Sequence, residues 1–287
     1  MPALCRAALG DRSSIPACSG TQGRRAGTAK LPREPAFRGR KDPLATFVLC
    51  HDAWEGGWVW QETALALAAL GHDAYRPTYT GLGERRHLAH AGVDLTTHRE
   101  DIGQLLTYED LHGVVLVGHG YGAAVATGVA DDLPERVRLL VLLDPYLPAR
   151  GESFLDLFRG TPIREQLVGQ AQAYGDGWRI TPPFAPADVR VTAQPLATFT
   201  EPLALRHPPR VPRQAIACAG RAATPFFQPV AASLAALAAA GVSVQEIACG
   251  HRAPTELPLE LAALLDRIAL QQVGAEVVEE TGREDKR

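Results

Sequence analysis

From residue 44 onward, short apolar or β-branched runs alternate with longer Ala/Leu-rich stretches whose apolar residues recur at helical spacing. That rhythm is what βαβ units on a parallel sheet produce. It predicts strands at 45–50, 73–77, 113–118, 137–143, 214–219 and 242–247, and helices at 57–70, 97–108, 121–132, 227–240 and 256–272. The run Val114-Val115-Leu116-Val117 has no polar face, so its strand should be central and covered on both sides. Residues 148–212 are interrupted by prolines and break the rhythm; they read as a cap inserted over the carboxyl edge of the sheet.

The two ends differ from this pattern. Over residues 1–44, Arg6, Arg12, Arg24, Arg25, Arg33, Arg38 and Arg40 are scattered among Gly, Pro, Ser and Ala with no periodic apolar face, a composition that cannot bury a core. This segment reads as a disordered leader, as an organellar transit peptide, or as an over-extended start of the reading frame. Residues 273–287 are mostly charged and are expected to fray. The expectation is therefore one α/β domain over 45–272, a mostly parallel central sheet flanked by helices with a cap at about 148–212, in a chain of 287 residues.

Composition removes several classes of function. A net charge of −3 and an isoelectric point near 6.3 give no footprint for nucleic acid, and no apolar run approaches the roughly 20 residues that span a bilayer. Cys5, Cys18, Cys50, Cys218 and Cys249 show no CxxC spacing, and three of them end apolar runs, where cysteine packs as a small hydrophobe. The expectation is a cytoplasmic protein without disulfides, zinc site, other metal or cofactor, whose partner is a small-molecule substrate or ligand; nothing in the chain sets an oligomeric state.

The chemistry concentrates at Gly118-His119-Gly120-Tyr121-Gly122, between the central strand and a helix. A strand, Gly-x-x-x-Gly and a helix form the layout of a nucleophile elbow, whose tight turn lifts the middle residue above the sheet. A phosphate-binding G-x-G-x-x-G loop does not fit, because the third glycine comes one position early. The middle position is Gly120, which has no side chain to form an acyl-enzyme. Covalent Ser-His-Asp catalysis is excluded unless another group attacks.

With these motifs the chain resembles the small-esterase branch of the α/β hydrolases, which includes methylesterases, methyl-ketone-forming enzymes and hydroxynitrile lyases. The stretches that carry the resemblance are His51-Asp52-Ala53-Trp54-Glu55-Gly56-Gly57-Trp58-Val59-Trp60, Thr78-Tyr79-Thr80-Gly81-Leu82-Gly83-Glu84-Arg85, the elbow, Gln194-Pro195-Leu196-Ala197-Thr198-Phe199-Thr200-Glu201-Pro202, and Gly250-His251. The resemblance implies an oxyanion hole from the N–H groups of Ala53 and Tyr121, and a general base at His251. Relatives usually carry glycine where Asp52 stands. Asp52 should either take a positive φ or face solvent, or else act as an acid or base toward the substrate. The stretch Ala219-Gly220-Arg221-Ala222-Ala223 lacks the carboxylate that many relatives supply there; some α/β hydrolases supply it from the end of the preceding strand, so the resemblance implies that Asp144 orients His251, the alternative being that it caps its strand end. His119 is expected to be structural, and Trp54, Trp58, Trp60, Tyr146, Phe154, Trp178 and Phe199 to pack the cap and line an apolar pocket. Three functions remain open: non-covalent acid/base chemistry on a small apolar or aromatic carbonyl or ester compound with His251 as base, an inactive small-molecule-binding module, and slow ester hydrolysis by water attack.

Overall fold

Residues 44–183 and 188–284 are described in a computed structural model of the protein, residues 272–284 through their backbone alone. The leader expected over 1–44 lies, up to residue 43, outside the described residues.

Six strands form one parallel sheet: β1 (Thr46–Cys50), β2 (Asp73–Tyr75), β3 (Val114–His119), β4 (Val137–Leu143), β7 (Arg213–Cys218) and β8 (Ser243–Ile247), in spatial order β2-β1-β3-β4-β7-β8. The order places β3 between β1 and β4, and all six residues of β3 are buried. Side chains alternate across a strand, so β3 divides its apolar residues between two cores. Val114 and Leu116 pack on one face with α2 (Leu95–Tyr108) and α3 (Gly122–Asp132); Val115 and Val117 pack on the other with α1 (Gln61–Ala69) and α8 (Pro258–Glu284). Each such fully buried aliphatic side chain contributes about 1.5–3 kcal/mol. A helix layer on each face is what a strand without a polar side requires.

Local signals set several element ends. Asp94 caps α2 by accepting from the Thr97 amide at 2.8 Å, while the Thr97 hydroxyl returns to the Asp94 amide. Pro162 opens α4 (Pro162–Tyr174), where a missing N–H removes nothing from the helix.

Between β4 and β7 the chain builds the cap from α4, the short antiparallel pair β5 (Arg179–Ile180) and β6 (Gln194–Pro195), and α5 (Ala197–Thr200). After β7 come α6 (Gln228–Ala239), β8, the short α7 (Ala253–Glu256) and α8. The backbone of α8 continues to Glu284, into the charged tail expected over 273–287. The segment Gly274-Ala275-Glu276-Val277-Val278-Glu279-Glu280 holds no proline and mostly tolerates a helix.

Candidate functional site

The site forms where the loops after β1, β3, β4 and β8 meet at the carboxyl ends of their strands, the edge at which open α/β sheets bind ligands. After β3 the chain turns at Gly120 with φ +55°, a conformation that costs an L-residue about 1–2 kcal/mol. The turn is fixed from both sides. The Gly120 amide donates to the Leu143 carbonyl at 3.1 Å and the Gly120 carbonyl accepts from the Tyr146 amide at 3.0 Å. Gly118 is needed for close approach, because a Cβ there would lie 2.6 Å from the Gly122 carbonyl oxygen.

Asp52 resolves the two readings left open by its sequence position. It does not take a positive φ; the left-handed residue of its loop is Trp54, at +63°. Nor does it face solvent: its side chain is 13% exposed and reaches across to the elbow. Oδ1 accepts from the Tyr121 amide at 2.6 Å, and Oδ2 lies 3.0 Å from His251 Nε2. A Cβ built on Gly120 would meet Asp52 Oδ1 at 2.1 Å and Cγ at 2.2 Å. The carboxylate thus fills the volume that any side chain at position 120 would enter.

Asp144 also has a left-handed backbone, φ +44°, a region that Asp tolerates better than most residues. Fully buried, it accepts at Oδ1 from the Cys218 amide at 3.1 Å and from the Arg221 guanidinium, and at Oδ2 from His251 Nδ1 at 2.6 Å. His251 is therefore held between two carboxylates. Burial disfavours its charged form, but the hydrogen bonds to Asp144 and Asp52 outweigh burial and push its pKa up to about 9. Asp52 shows the complementary shift. Burial alone would raise it, yet the His251 hydrogen bond and charge and the Tyr121 amide pull it down to about 2. The hydrogen bonds to Asp52 and Asp144 thus favour the charged form of His251, with Asp52 favoured as its anion.

His119 packs against this array. Its ring centroid is 4.8 Å from that of His251, and Nε2 lies 2.7 Å from the His251 carbonyl oxygen. A carbonyl only accepts, so Nε2 carries the hydrogen and Nδ1 the lone pair. Burial pulls the His119 pKa down to about 4, which keeps this tautomer neutral. His51 orders the β1 loop in the same way, donating from Nδ1 to its neighbour's carbonyl at 2.7 Å and accepting at Nε2 from the Tyr79 amide at 3.2 Å.

The cap is pinned to this loop through Trp54. The Trp54 amide donates to Gln194 Oε1 at 3.0 Å, its indole N–H to the Ile180 carbonyl at 2.9 Å, and its carbonyl accepts from the Thr192 amide at 2.8 Å. Gln194 and Glu201 in the segment 194–202 are thereby explained as ties, Glu201 accepting from the Thr96 amide and hydroxyl at the start of α2.

The structure brings Asp52, Gly120, Tyr121, Asp144 and His251 into one array and sets buried Ala53 beside them in the β1 loop. Four of the seven aromatics expected around the pocket, Trp54, Tyr146, Phe154 and Phe199, share the core on that face. Trp60 is corrected: it lies in the core on the other face of the sheet, with side chains of α1 and α8, and meets the His119 ring edge-on at 6.1 Å. Trp58 stacks under the Arg190 guanidinium at 3.9 Å, and Trp178 lies near that of Arg179. Sequence reasoning missed Phe226 and Phe227, which sit before α6 with no periodic pattern to single them out; the Phe227 ring is 4.9 Å from His251. They wall a cleft of about 640 Å³ lined also by Ile163, Leu167 and Pro225. It missed Arg221 as the partner of Asp144, since 77 residues separate them. Glu55 was passed over too. Burial and the Asp52 charge push its carboxyl up to about 8 although Arg252 Nε lies 3.3 Å away.

Residues 47–264 match the alpha/beta hydrolase family. The chain is 35% identical over 244 residues to the carbendazim hydrolyzing esterase of Nocardioides sp. (strain SG-4G), covering 77% of this chain and 98% of that protein. It is 30% identical over 113 residues to methylesterase 2 of Arabidopsis thaliana, covering 36% and 40% of the two chains. Among solved structures, an extracellular alpha/beta-hydrolase from a Paenibacillus species superposes with a TM-score of 0.67 at 23% identity, covering 78% of this chain and 98% of the other.

Proposed function

The chain belongs to the alpha/beta hydrolase family, and we propose that within it this protein works without a serine nucleophile, by proton transfer through Asp52, His251 and Asp144 on a small apolar or aromatic carbonyl or ester compound. One observation carries the reading: the Asp52 carboxylate occupies the space above Gly120 while bonded to both the Tyr121 amide and His251. A serine-type site needs that space for the nucleophile and that amide for the oxyanion. Here an internal anion holds both, so an acyl-enzyme has neither an attacking group nor an empty hole.

What remains is an ion pair with a mobile proton. His251 Nε2 presents the proton, Asp52 accepts it, and Asp144 with Arg221 keeps the imidazolium oriented from behind. A bound carbonyl that displaces Asp52 from the Tyr121 amide would meet a proton donor and a carboxylate base together, which suits elimination, isomerisation or water addition. The aromatic surroundings and the cleft beside Phe227 favour apolar or aromatic ligands.

The occupied amide also favours a second reading, a binding module in which Asp52 closes the former hole permanently. Both readings predict no acyl-enzyme, and both are tested on one short aryl ester. The wild type should give no burst and no acylated peptide by mass spectrometry. The double variant Asp52→Gly/Gly120→Ser should acquire His251-dependent turnover. An acylated wild-type residue would overturn the proposal. A ligand found by thermal-shift screening then separates the two readings: conversion abolished by His251→Ala supports the enzyme, and unchanged binding without conversion supports the module.

A further inference from the structure

We infer that Asp52, His119 and His251 form a three-ligand site for a divalent first-row transition metal with Zn2+-like preferences. The site goes beyond the proposed function and draws on two of the same side chains: a bound ion takes the place of the Asp52–His251 proton, so metal binding and proton transfer are alternative states of that pair. One ligand atom from each of the three side chains lies within 4.8 Å of the others. Two imidazoles and one carboxylate are the protein donor set of catalytic zinc sites and of open iron(II) sites.

Each donor is already backed by a hydrogen bond that aims it. Asp52 Oδ1 accepts from the Tyr121 amide, which leaves Oδ2 as a monodentate donor. His251 donates from Nδ1 to Asp144 at 2.6 Å, which presents Nε2, and Asp144 is itself held by Arg221 and the Cys218 amide. His119 donates from Nε2 to the His251 carbonyl at 2.7 Å. Carboxylate or carbonyl partners on the far nitrogens of both histidines are the arrangement that orients metal-bound imidazoles and fixes their tautomers.

A second observation is independent of the cluster. His119 is 1% exposed, and its Nδ1 is buried with no hydrogen-bond partner among the described residues. A buried lone pair left unmade costs about 1–3 kcal/mol, and in His119, unlike His72 whose Nδ1 is also unpartnered, that nitrogen belongs to a ring packed on a second imidazole and grouped with a carboxylate. Asp52 and His251 stand 3.0 Å apart, close to the roughly 3.3 Å between donors of a tetrahedral ion with bonds of about 2.0–2.1 Å. The third donor lies within 4.8 Å and is drawn in by up to about 1.5 Å. The ion takes the place of the proton shared by Asp52 and His251, which is released on binding.

The test uses the full chain, stripped with a chelator and dialysed against Zn2+ or Co2+ alone, with bound metal quantified. One equivalent is expected, with a visible Co2+ spectrum of four-coordinate intensity. Asp52→Asn, which preserves shape, should weaken binding by at least about tenfold and abolish that spectrum, as should His119→Gln. Gly120→Ala should weaken binding without removing a ligand, because its Cβ displaces the carboxylate. His72→Gln, in a histidine–aspartate pair with Asp266 at 2.9 Å elsewhere in the fold, should bind as the wild type does. Less than one equivalent in the wild type, or stoichiometric binding that survives Asp52→Asn in a folded protein, overturns the site. The aryl-ester assay does not enter this test, so either proposal can fail alone.

Discussion

The loop after β1 and the elbow after β3 converge on one point and bring opposite things to it. The elbow supplies a backbone turn with no side chain at its centre, Gly120 at φ +55°. The β1 loop supplies a carboxylate, Asp52, which reaches across into the space left open. The two positions are read together: Gly120 offers no side chain at the turn, and the Asp52 carboxylate lies where a Cβ at position 120 would reach. Together they are one packed and hydrogen-bonded unit, and the difference between the two loops teaches that a side chain from one loop fills the space the other leaves open.

That comparison breaks most visibly if a side chain is restored to the elbow while Asp52 stays. Gly120→Ser combines left-handed strain with a clash on Asp52 that strips the carboxylate from His251; losing a partner of a buried pair costs about 3–5 kcal/mol. Chemical denaturation should show a loss of that size, and Asp52→Gly in the same chain should recover about 2 kcal/mol or more as coupling. Additive effects would mean that the two positions do not share the space.

Asp144→Asn keeps a residue that accepts left-handed backbone but removes the charge facing Arg221 and His251. We expect a loss of about 3 kcal/mol, read by the same denaturation, and a smaller one if Arg221 is truncated together with it. The pH dependence of the metal-free protein is the next effect. The folded pKa of His251 is raised from 6.5 to about 9, so its stabilisation is complete below pH 6.5 and is lost as pH rises through 9. The slope is at most about 1.4 kcal/mol per pH unit for one proton. The folded pKa of Asp52 is depressed from 3.8 to about 2, so its share is present above 3.8 and lost as pH falls through 2. Imidazole NMR titration should show the His251 pKa falling in Asp52→Gly; an unchanged value would separate His251 from Asp52. The smallest effect concerns the cap. Gln194→Ala removes the acceptor for the Trp54 amide and should cost about 1–2 kcal/mol, seen as faster hydrogen exchange in the cap with the elbow unaffected.

The order and type of the sheet elements were legible because a parallel sheet between helix layers writes its pattern into the chain: β3 is apolar on both faces and its neighbours follow the βα rhythm. The elbow was legible because close packing of strand and helix restricts Gly118 and Gly122 to small residues. The pairing of His251 with Asp144 could be anticipated from the strand ends that carry them. Trp60 was placed on the wrong face because the short helix that carries it is too brief for a periodicity to mark the side a residue presents.

By itself the sequence determined the α/β architecture, the glycine-framed turn between β3 and α3, and the loops that would bear charged groups, since each of these follows from local spacing and side-chain size. Only the tertiary structure decided where Asp52 points, that Arg221 answers Asp144, that His251 stands between two carboxyl groups, and that His119 packs its ring against that of His251. Those depend on which strand ends lie next to one another in the order β2-β1-β3-β4-β7-β8, and contacts between residues 69 to 199 positions apart are set by the sheet and leave no mark on the chain between them.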